Sequence, residues 1–177
     1  RKPRAGSDQE SARLPTRHFI DLTQPEIAQQ LKHNPLVILP AGSVEQHGPH
    51  LPTGTDIYAS QAIGHAVAER MDGLVLPGGP LGVTPLHIPF EGTITLTPDT
   101  YMRVVTETCV STARHGAKYL LILNWHEGNI PSLAIAAESL HRDYGMTVLT
   151  VQACYVAADL YGQECGGLTH GGDIEAL

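Results

Sequence analysis

Residues 42–56, with the sequence GSVEQHGPHLPTGTD, concentrate two carboxylates and two imidazoles that could bind a metal ion: Glu45, Asp56, His47 and His50. Buried charged groups are costly unless an opposite charge compensates them, and a divalent cation supplies that charge. Carboxylate and imidazole together form a ligand set suited to zinc, manganese or iron. The stretch is therefore a candidate metal site, and a polar surface loop that happens to hold two histidines is the alternative.

Two further polar clusters follow later in the chain. Residues 124–129 (NWHEGN) contain His126 and Glu127, and residues 169–175 (THGGDIE) contain His170 and Glu175. Glycines between His170 and Glu175 would let the backbone approach a ligand closely. Chain termini are often poorly ordered, so a frayed end is the alternative for the last cluster.

Alternating strands and helices must position these clusters. Apolar runs predict strands, and capping signals with helical spacing predict helices between them. The predicted strands are residues 36–39, 74–76, 118–123 and 147–151. The predicted helices are residues 23–32, 56–70, 98–114 and 130–144. Residues 93–96 are predicted to form either a short strand or a loop wall. This order predicts a layered α/β/α fold with a mainly parallel sheet. Because the first two clusters each follow a strand, both should lie at the carboxyl edge of the sheet, where functional sites of such folds occur.

Length and composition narrow the classes of function. The 177 residues fit one domain, with a flexible arm at residues 1–17 and the folded domain at residues 18–177. A net charge of −7 argues against nucleic-acid and anionic-membrane partners. No apolar segment approaches the roughly 18 residues of a membrane span. Three cysteines without CxxC spacing make a disulfide framework unfavourable, so a reducing cytoplasm is expected.

The three clusters together resemble the creatininase (creatinine amidohydrolase) family. The first signature of that family is similar to residues 45–52 and 55–56, and its Gly-Thr-Ile segment is similar to residues 92–94. Its Asn-Gly-His-Gly-Gly-Asn turn is similar to residues 124–129, and its closing motif is similar to residues 170–175. The resemblance runs from about Ile20 to the last residue. It implies a creatininase-like metal-hydrolase domain, often assembled into hexamers, and a chain that ends before the family's usual C-terminus.

The resemblance also implies two divalent metal ions per chain, zinc first and manganese or iron as alternatives. Glu45 and His126 would bind one ion, His47 and Glu175 the other, and Asp56 would bridge both. Glu45 and His47 are two residues apart, so extended backbone would place both side chains on one face. A hydroxide between the ions would attack the C–N amide bond of a small cyclic amide, lactam or formamide.

Further roles follow from the same resemblance. His170 would donate a proton to the leaving nitrogen. Glu127 is either a second catalytic group or a metal ligand in place of Glu175, since Gly128 stands where true creatininases carry a glutamate. Trp125 is interpreted as an aromatic wall for the substrate, with core packing as the alternative.

His50 and Thr93 are assigned with Trp125 to substrate binding, and His50 could also orient a ligand carboxylate. Five further histidines are interpreted as ordinary residues without carboxylate neighbours: His33, His65, His87, His115 and His141. The expected protein is a cytoplasmic homo-oligomer acting on a small-molecule amide. A peptidase acting on a short precursor peptide, and a non-catalytic metal-stabilised scaffold subunit, remain the alternatives.

Overall fold

The first helix shows the capping signal that the sequence predicts. The computed structural model of the protein describes residues 14–79 and 81–161. Helix α1 (Gln24–His33) begins after Thr23, whose backbone N–H donates to the Glu26 carboxylate at 2.7 Å. This reciprocal capping box satisfies backbone groups that the first helical turn leaves unpaired. The predicted helix is confirmed to within one residue of its end.

Four parallel strands form one sheet. They are β1 (Leu36–Ala41), β2 (Leu74–Val75), β3 (Tyr119–Asn124) and β4 (Thr147–Gln152), in the order β2-β1-β3-β4. Ala41 pairs with Asn124, and Asn124 pairs with Gln152. The register therefore brings the carboxyl ends of three strands into line, so the loops that follow them share one edge.

Helices cover both faces of the sheet, which confirms the layered α/β/α architecture. The later helices are α2 (Thr55–Met71), α3 (Pro98–Arg114), α4 (Ile130–Tyr144) and α5 (Ala153–Tyr161). Because side chains alternate along a strand, Val37 and Leu39 join a core with α1, α3 and α4, whereas Ile38 packs towards α2. Among the described residues, no helix is both long enough and apolar enough to cross a membrane.

The connection from β2 to α3 passes along the carboxyl edge of the sheet. Residues 93–96, predicted as a short strand or a loop wall, form only isolated bridges at this edge. The Ile94 N–H donates to the Val44 carbonyl at 3.0 Å, and the Leu96 N–H donates to the Gly82 carbonyl at 2.9 Å. It is therefore a loop wall. This connection also contains a 3-10 turn, Pro85–His87, whose side chains reach the candidate site.

The last residues of the predicted flexible arm are packed rather than free. Leu14 packs against the core, and Arg17 Nη2 lies 2.5 Å from Asp72 Oδ1. Residues 14–17 therefore contact the folded domain, and residues 1–13 of the predicted arm lie outside the described part. His33 Nε2 also lies 3.0 Å from Asp72 Oδ2, so the expectation that His33 has no carboxylate neighbour is wrong.

Candidate metal centre

Three side chains, two from loops and one from a helix, meet beyond the carboxyl ends of the strands. Glu45 follows β1, Asp56 lies in the first turn of α2, and His126 follows β3. One ligand atom from each lies within 4.8 Å of the other two. The three residues are only 2%, 1% and 3% exposed. The structure thus brings together residues 81 positions apart in the sequence, as the strand order predicts.

The hydrogen bonds of His126 determine which nitrogen faces the carboxylates. Its Nε2 lies 3.0 Å from the Val83 carbonyl oxygen, which can only accept, so Nε2 carries a hydrogen. In the neutral ring, Nδ1 then presents a lone pair. That atom lies 3.2 Å from Asp56 Oδ2 and 3.4 Å from Glu45 Oε2. A lone pair facing two carboxylates is unfavourable unless a cation or a proton lies among them.

His47 repeats this arrangement on the other side of Asp56. Its Nδ1 lies 3.1 Å from the Glu45 backbone carbonyl, and its Nε2 lies 3.1 Å from Asp56 Oδ1. Each oxygen of Asp56 therefore faces one imidazole nitrogen, and each imidazole is oriented by a backbone carbonyl. Backbone carbonyls commonly orient metal-binding histidines in this way. The donor set fits divalent cations, with Asp56 placed between two histidines.

Electrostatics in this cluster favour a positive charge. Burial by itself would raise the pKa of the Asp56 carboxyl, but the hydrogen bonds and charges of His126 and His47 outweigh it and lower that pKa to about 2. Burial lowers the pKa of His126, whereas the Asp56 hydrogen bond and the charges of Glu45 and Asp56 raise it, and the net shift is upward. Both shifts favour a positive charge next to the carboxylates, which a cation or a proton on the imidazole can supply.

A buried asparagine joins the loops that carry these ligands. Asn129 is fully buried; its Oδ1 accepts from Val83 N–H at 2.9 Å, and its Nδ2 donates to the Gly42 carbonyl at 3.0 Å and to Asn124 Oδ1 at 3.2 Å. Val83 and Gly42 follow β2 and β1, and Asn124 is the last residue of β3. Asn129 thus fixes the three loops relative to one another.

The close approach of two loops explains why Gly128 carries no ligand. A Cβ atom on Gly128 would lie 2.1 Å from the Val83 carbonyl oxygen and 2.5 Å from His126 Nε2. Both atoms belong to the hydrogen bond that orients His126. A metal-binding glutamate therefore has no room at this position in this backbone.

Two residues of the site were missed in the sequence. The hydroxyl of Thr84 donates to Glu45 Oε2, and His87 Nδ1 lies 3.0 Å from the same oxygen. The interpretation of His87 as a histidine without carboxylate neighbours is wrong. A signal was available, because the loop after β2 must reach the same sheet edge as the loops after β1 and β3.

A cleft of about 450 Å³ opens beside the candidate metal centre. It is lined by Val83, Thr84, Pro85, Leu86, His87, His126, Glu127, Gly128 and Pro131. Glu127 is half-buried in its wall, and its carboxylate raises the pKa of the Tyr155 hydroxyl on α5. Glu127 does not belong to the Glu45–Asp56–His126 group, the only such group among the described residues.

The residues assigned to substrate binding lie apart from this cleft. Trp125 is 7% exposed and packs with Ala153 and Cys154, which corresponds to the core-packing alternative. His50 is exposed, with no carboxylate bonded to it in the described part of the chain. Thr93 is half-buried in the loop that pairs with residue 44. Their substrate roles remain predictions, as do those of His170 and Glu175, which lie outside the described residues.

The fold and the site together define an α/β protein with a carboxylate–histidine cluster, a candidate metal site, at the carboxyl edge of a parallel sheet. The family model described as creatinine amidohydrolase matches residues 20–176. The chain belongs to the creatininase family.

Curated relatives with different activities match this chain. It is 35% identical to the mycofactocin precursor peptide peptidase of Mycobacterium ulcerans over 153 residues, 80% of this chain and 56% of that protein. It is 30% identical to the creatinine amidohydrolase of Pseudomonas putida over 159 residues, 79% of this chain and 61% of that protein. The chain therefore spans less than two thirds of the length of both relatives.

Solved creatininase structures share the fold. A crystal structure of creatinine amidohydrolase has a TM-score of 0.73 at 27% identity, covering 82% of this chain and 61% of the other. A manganese creatininase has a TM-score of 0.71 at 27% identity, covering 84% of this chain and 65% of the other. A mutant creatininase of the Zn–Zn type has a TM-score of 0.72 at 25% identity, covering 85% and 65%.

Proposed function

We propose that this chain carries the metal centre of a hydrolase that cleaves a C–N amide bond in a small cyclic amide, lactam or formamide. One observation supports this above all: each oxygen of the buried Asp56 faces an imidazole nitrogen whose ring is oriented by a backbone carbonyl. One proton can compensate only one of these contacts between an Asp56 oxygen and an imidazole nitrogen. Divalent ions bind carboxylates and imidazoles together, so they suit both contacts.

The proposed ligands are those that the family resemblance assigns. Glu45 and His126 would hold one ion, His47 and Glu175 a second, and Asp56 both. Zinc is the first choice and manganese or iron the alternatives, since relatives of this fold occur in zinc and manganese forms. Divalent ions in such sites polarise a carbonyl oxygen and lower the pKa of water.

The residues of this chain would position and protonate the substrate around the ions. The cleft beside His126 would hold the amide, with apolar contacts from Val83, Leu86 and Pro131 excluding water. His170 would donate a proton to the leaving nitrogen, as the resemblance implies.

The same proposal includes the state and location of the protein, which would be a cytoplasmic homo-oligomer and in particular a hexamer.

Cleavage of a short precursor peptide is the second candidate. The 35% identity to a mycofactocin precursor peptide peptidase favours it. Both reactions hydrolyse a C–N bond, so the metal centre does not distinguish them. The two candidate functions differ in the size of the substrate.

The test combines metal analysis with hydrolysis. Purified protein should contain about two divalent ions per chain by elemental mass spectrometry and should hydrolyse a member of a panel of amides, lactams, formamides and short peptides. Glu45→Gln and His126→Ala should abolish turnover, and His126→Ala should also lower the metal content. His115→Ala, at an exposed position after α3, is the matched control and should change neither. If the protein binds metal but hydrolyses no member of the panel, the proposed hydrolase function is wrong. The non-catalytic, metal-stabilised scaffold subunit is then favoured.

A further inference from the structure

The segment that precedes the first helix covers one edge of the sheet. The backbone carbonyl of Arg17 accepts a hydrogen bond from Val75 N–H in β2 at 2.8 Å, and His18 forms an isolated parallel bridge with Val75. Strand β2 is the outermost strand on this side of the described sheet. Residues 14–18, called the edge segment below, therefore satisfy backbone groups of a strand that would otherwise present a free edge.

The side chain of His18 attaches the edge segment to helix α2. Its imidazole ring lies on the ring of His65, with ring centroids 3.5 Å apart and planes inclined at 35°. Both residues are half-buried. Neutral aromatic rings stack favourably in such tilted arrangements. Two imidazolium ions at this distance repel each other, and even in bulk water this repulsion changes an equilibrium constant by about fivefold or more.

The charges around the two rings act in opposite directions. Burial and the charge of His18 lower the pKa of His65, whereas Glu69 on α2 and Asp21, which follows the edge segment, raise it. The net shift is downward from 6.5. A group with a lowered pKa in the folded state binds a proton more readily once its contact is broken. The contact between the two rings is therefore complete above pH 6.5 and weakens as the pH falls below that value.

Asp72 attaches the edge segment at a second point that acid affects differently. Arg17 Nη2 lies 2.5 Å from Asp72 Oδ1, and His33 Nε2 of α1 lies 3.0 Å from Asp72 Oδ2. Arginine keeps its charge in mild acid, and a proton on His33 would strengthen the contact of that ring with the same carboxylate. Mild acid should therefore act on the edge segment through the two stacked histidines.

We propose that His18 and His65 form an acid-sensitive latch, which holds the edge segment on β2 at neutral pH and releases it when both rings are protonated. Release would expose the outer side of β2, and an exposed strand edge is able to pair with a strand of another chain. This inference is independent of the proposed function, because neither a metal ion nor a substrate takes part in it.

Two neighbouring backbone amides distinguish release of the edge segment from unfolding of the sheet. Val75 N–H donates outwards to the edge segment, whereas Leu76 N–H donates inwards to the Ile38 carbonyl of β1 at 2.8 Å. Hydrogen–deuterium exchange of the ¹⁵N-labelled chain is followed by nuclear magnetic resonance at pH 7.5 and pH 5, with each rate divided by the intrinsic rate at that pH. The protection of Val75 should fall by about fivefold or more in acid, and that of Leu76 by less than about twofold.

Matched variants assign the response to the two rings. His65→Phe keeps an aromatic ring against His18 but cannot be protonated, so Val75 should be equally protected at the two pH values. His18→Gln and His65→Gln each remove one titrating ring, and they should also abolish the difference between the two pH values. His115→Gln removes a histidine at an exposed position after α3 and should retain the wild-type response.

Three results would overturn the proposal. The first is equal protection of Val75 at both pH values in the wild-type chain. The second is a loss of protection in acid that persists in His65→Phe and in both glutamine variants. The third is a parallel loss at Leu76, which would mean that acid opens the sheet itself and not the edge segment.

Discussion

The Nδ1 atom of His87 lies 3.0 Å from Oε2 of Glu45, and the Thr84 hydroxyl donates to the same oxygen. The Thr84 oxygen is itself 3.1 Å from His87 Nδ1. Because Thr84 gives its hydrogen to Glu45, both neighbouring oxygens can accept, so His87 Nδ1 carries a hydrogen. The loop after β2 therefore holds a carboxylate supplied by the loop after β1.

Removing the His87 donor should weaken metal binding. Loss of a residue that orients a metal ligand typically lowers affinity by about 10- to 100-fold, so His87→Leu should bind zinc that much more weakly. His87→Asn places an N–H donor near the position of Nδ1 and should restore part of the affinity. The measurement is competition for zinc against a chelating dye. Equal affinity of the wild-type and leucine variants would show that His87 does not position Glu45.

Replacing the buried Asn129 by aspartate should destabilise the whole carboxyl edge. The change keeps the shape but removes both donors, leaving the Gly42 carbonyl and Asn124 Oδ1 facing a new negative charge. The two lost buried partners cost about 1–3 kcal/mol each, so a loss of about 2–6 kcal/mol in the free energy of unfolding is expected.

Urea denaturation followed by circular dichroism measures the effect of Asn129→Asp. Gln29→Glu makes the same amide-to-acid change at an exposed position on α1 and should alter stability by less than about 0.5 kcal/mol. Similar losses in the two variants would contradict the role of Asn129 as the link among three loops.

A methyl group at position 128 should disturb the orientation of His126. In Gly128→Ala the new Cβ would meet the Val83 carbonyl oxygen at 2.1 Å, so the two loops must separate. Such overpacking costs about 1–3 kcal/mol, and zinc affinity should fall with it. Gly79→Ala is the matched control, because its Cβ would find its nearest neighbour at 3.9 Å. Unchanged zinc affinity in Gly128→Ala would show that the contact between these loops is not needed for the site.

Alkaline pH should destabilise the protein through Cys109. Burial raises the pKa of this fully buried thiol from 9.0 to about 12. The folded state favours the neutral thiol, so its contribution is complete below pH 9 and is lost as the pH rises towards the folded pKa. Each pH unit in that window costs about 1.4 kcal/mol, so the wild type should lose about 2 kcal/mol more than Cys109→Ala between pH 8 and 10.5.

The free energy of unfolding, measured by denaturant titration at several pH values, tests this. The slope is the readout, since Cys109→Ala also leaves a small cavity that lowers stability at every pH. Parallel pH profiles for the two proteins would mean that Cys109 ionises as readily in the folded state as in the unfolded state.

Local patterns were sufficient for most of the framework. The apolar runs ending near residues 39, 76, 123 and 151 predicted the four strands of the described sheet. Three of them, β1, β2 and β3, are largely buried, which requires continuous apolar sequence, whereas β4 is only partly buried. Capping at Thr23 and Thr97 predicted where α1 and α3 begin, because these side chains satisfy groups within their own first turn. The order of the strands predicted that the loops at residues 45–56 and 124–129 meet at one edge, and the family resemblance selected Glu45, Asp56 and His126 within them.

The parallel layered fold, the creatininase motifs and the edge of the sheet where the ligands gather could all be predicted from the sequence, because each depends on neighbouring residues or on the order of elements. Three further findings required the folded structure: His87 and Thr84 hold Glu45, Asn129 links three loops, and Trp125 lies in the core. These facts depend on the direction of side chains and on hydrogen bonds between segments far apart in the chain. Neither is encoded in a local pattern of residue types.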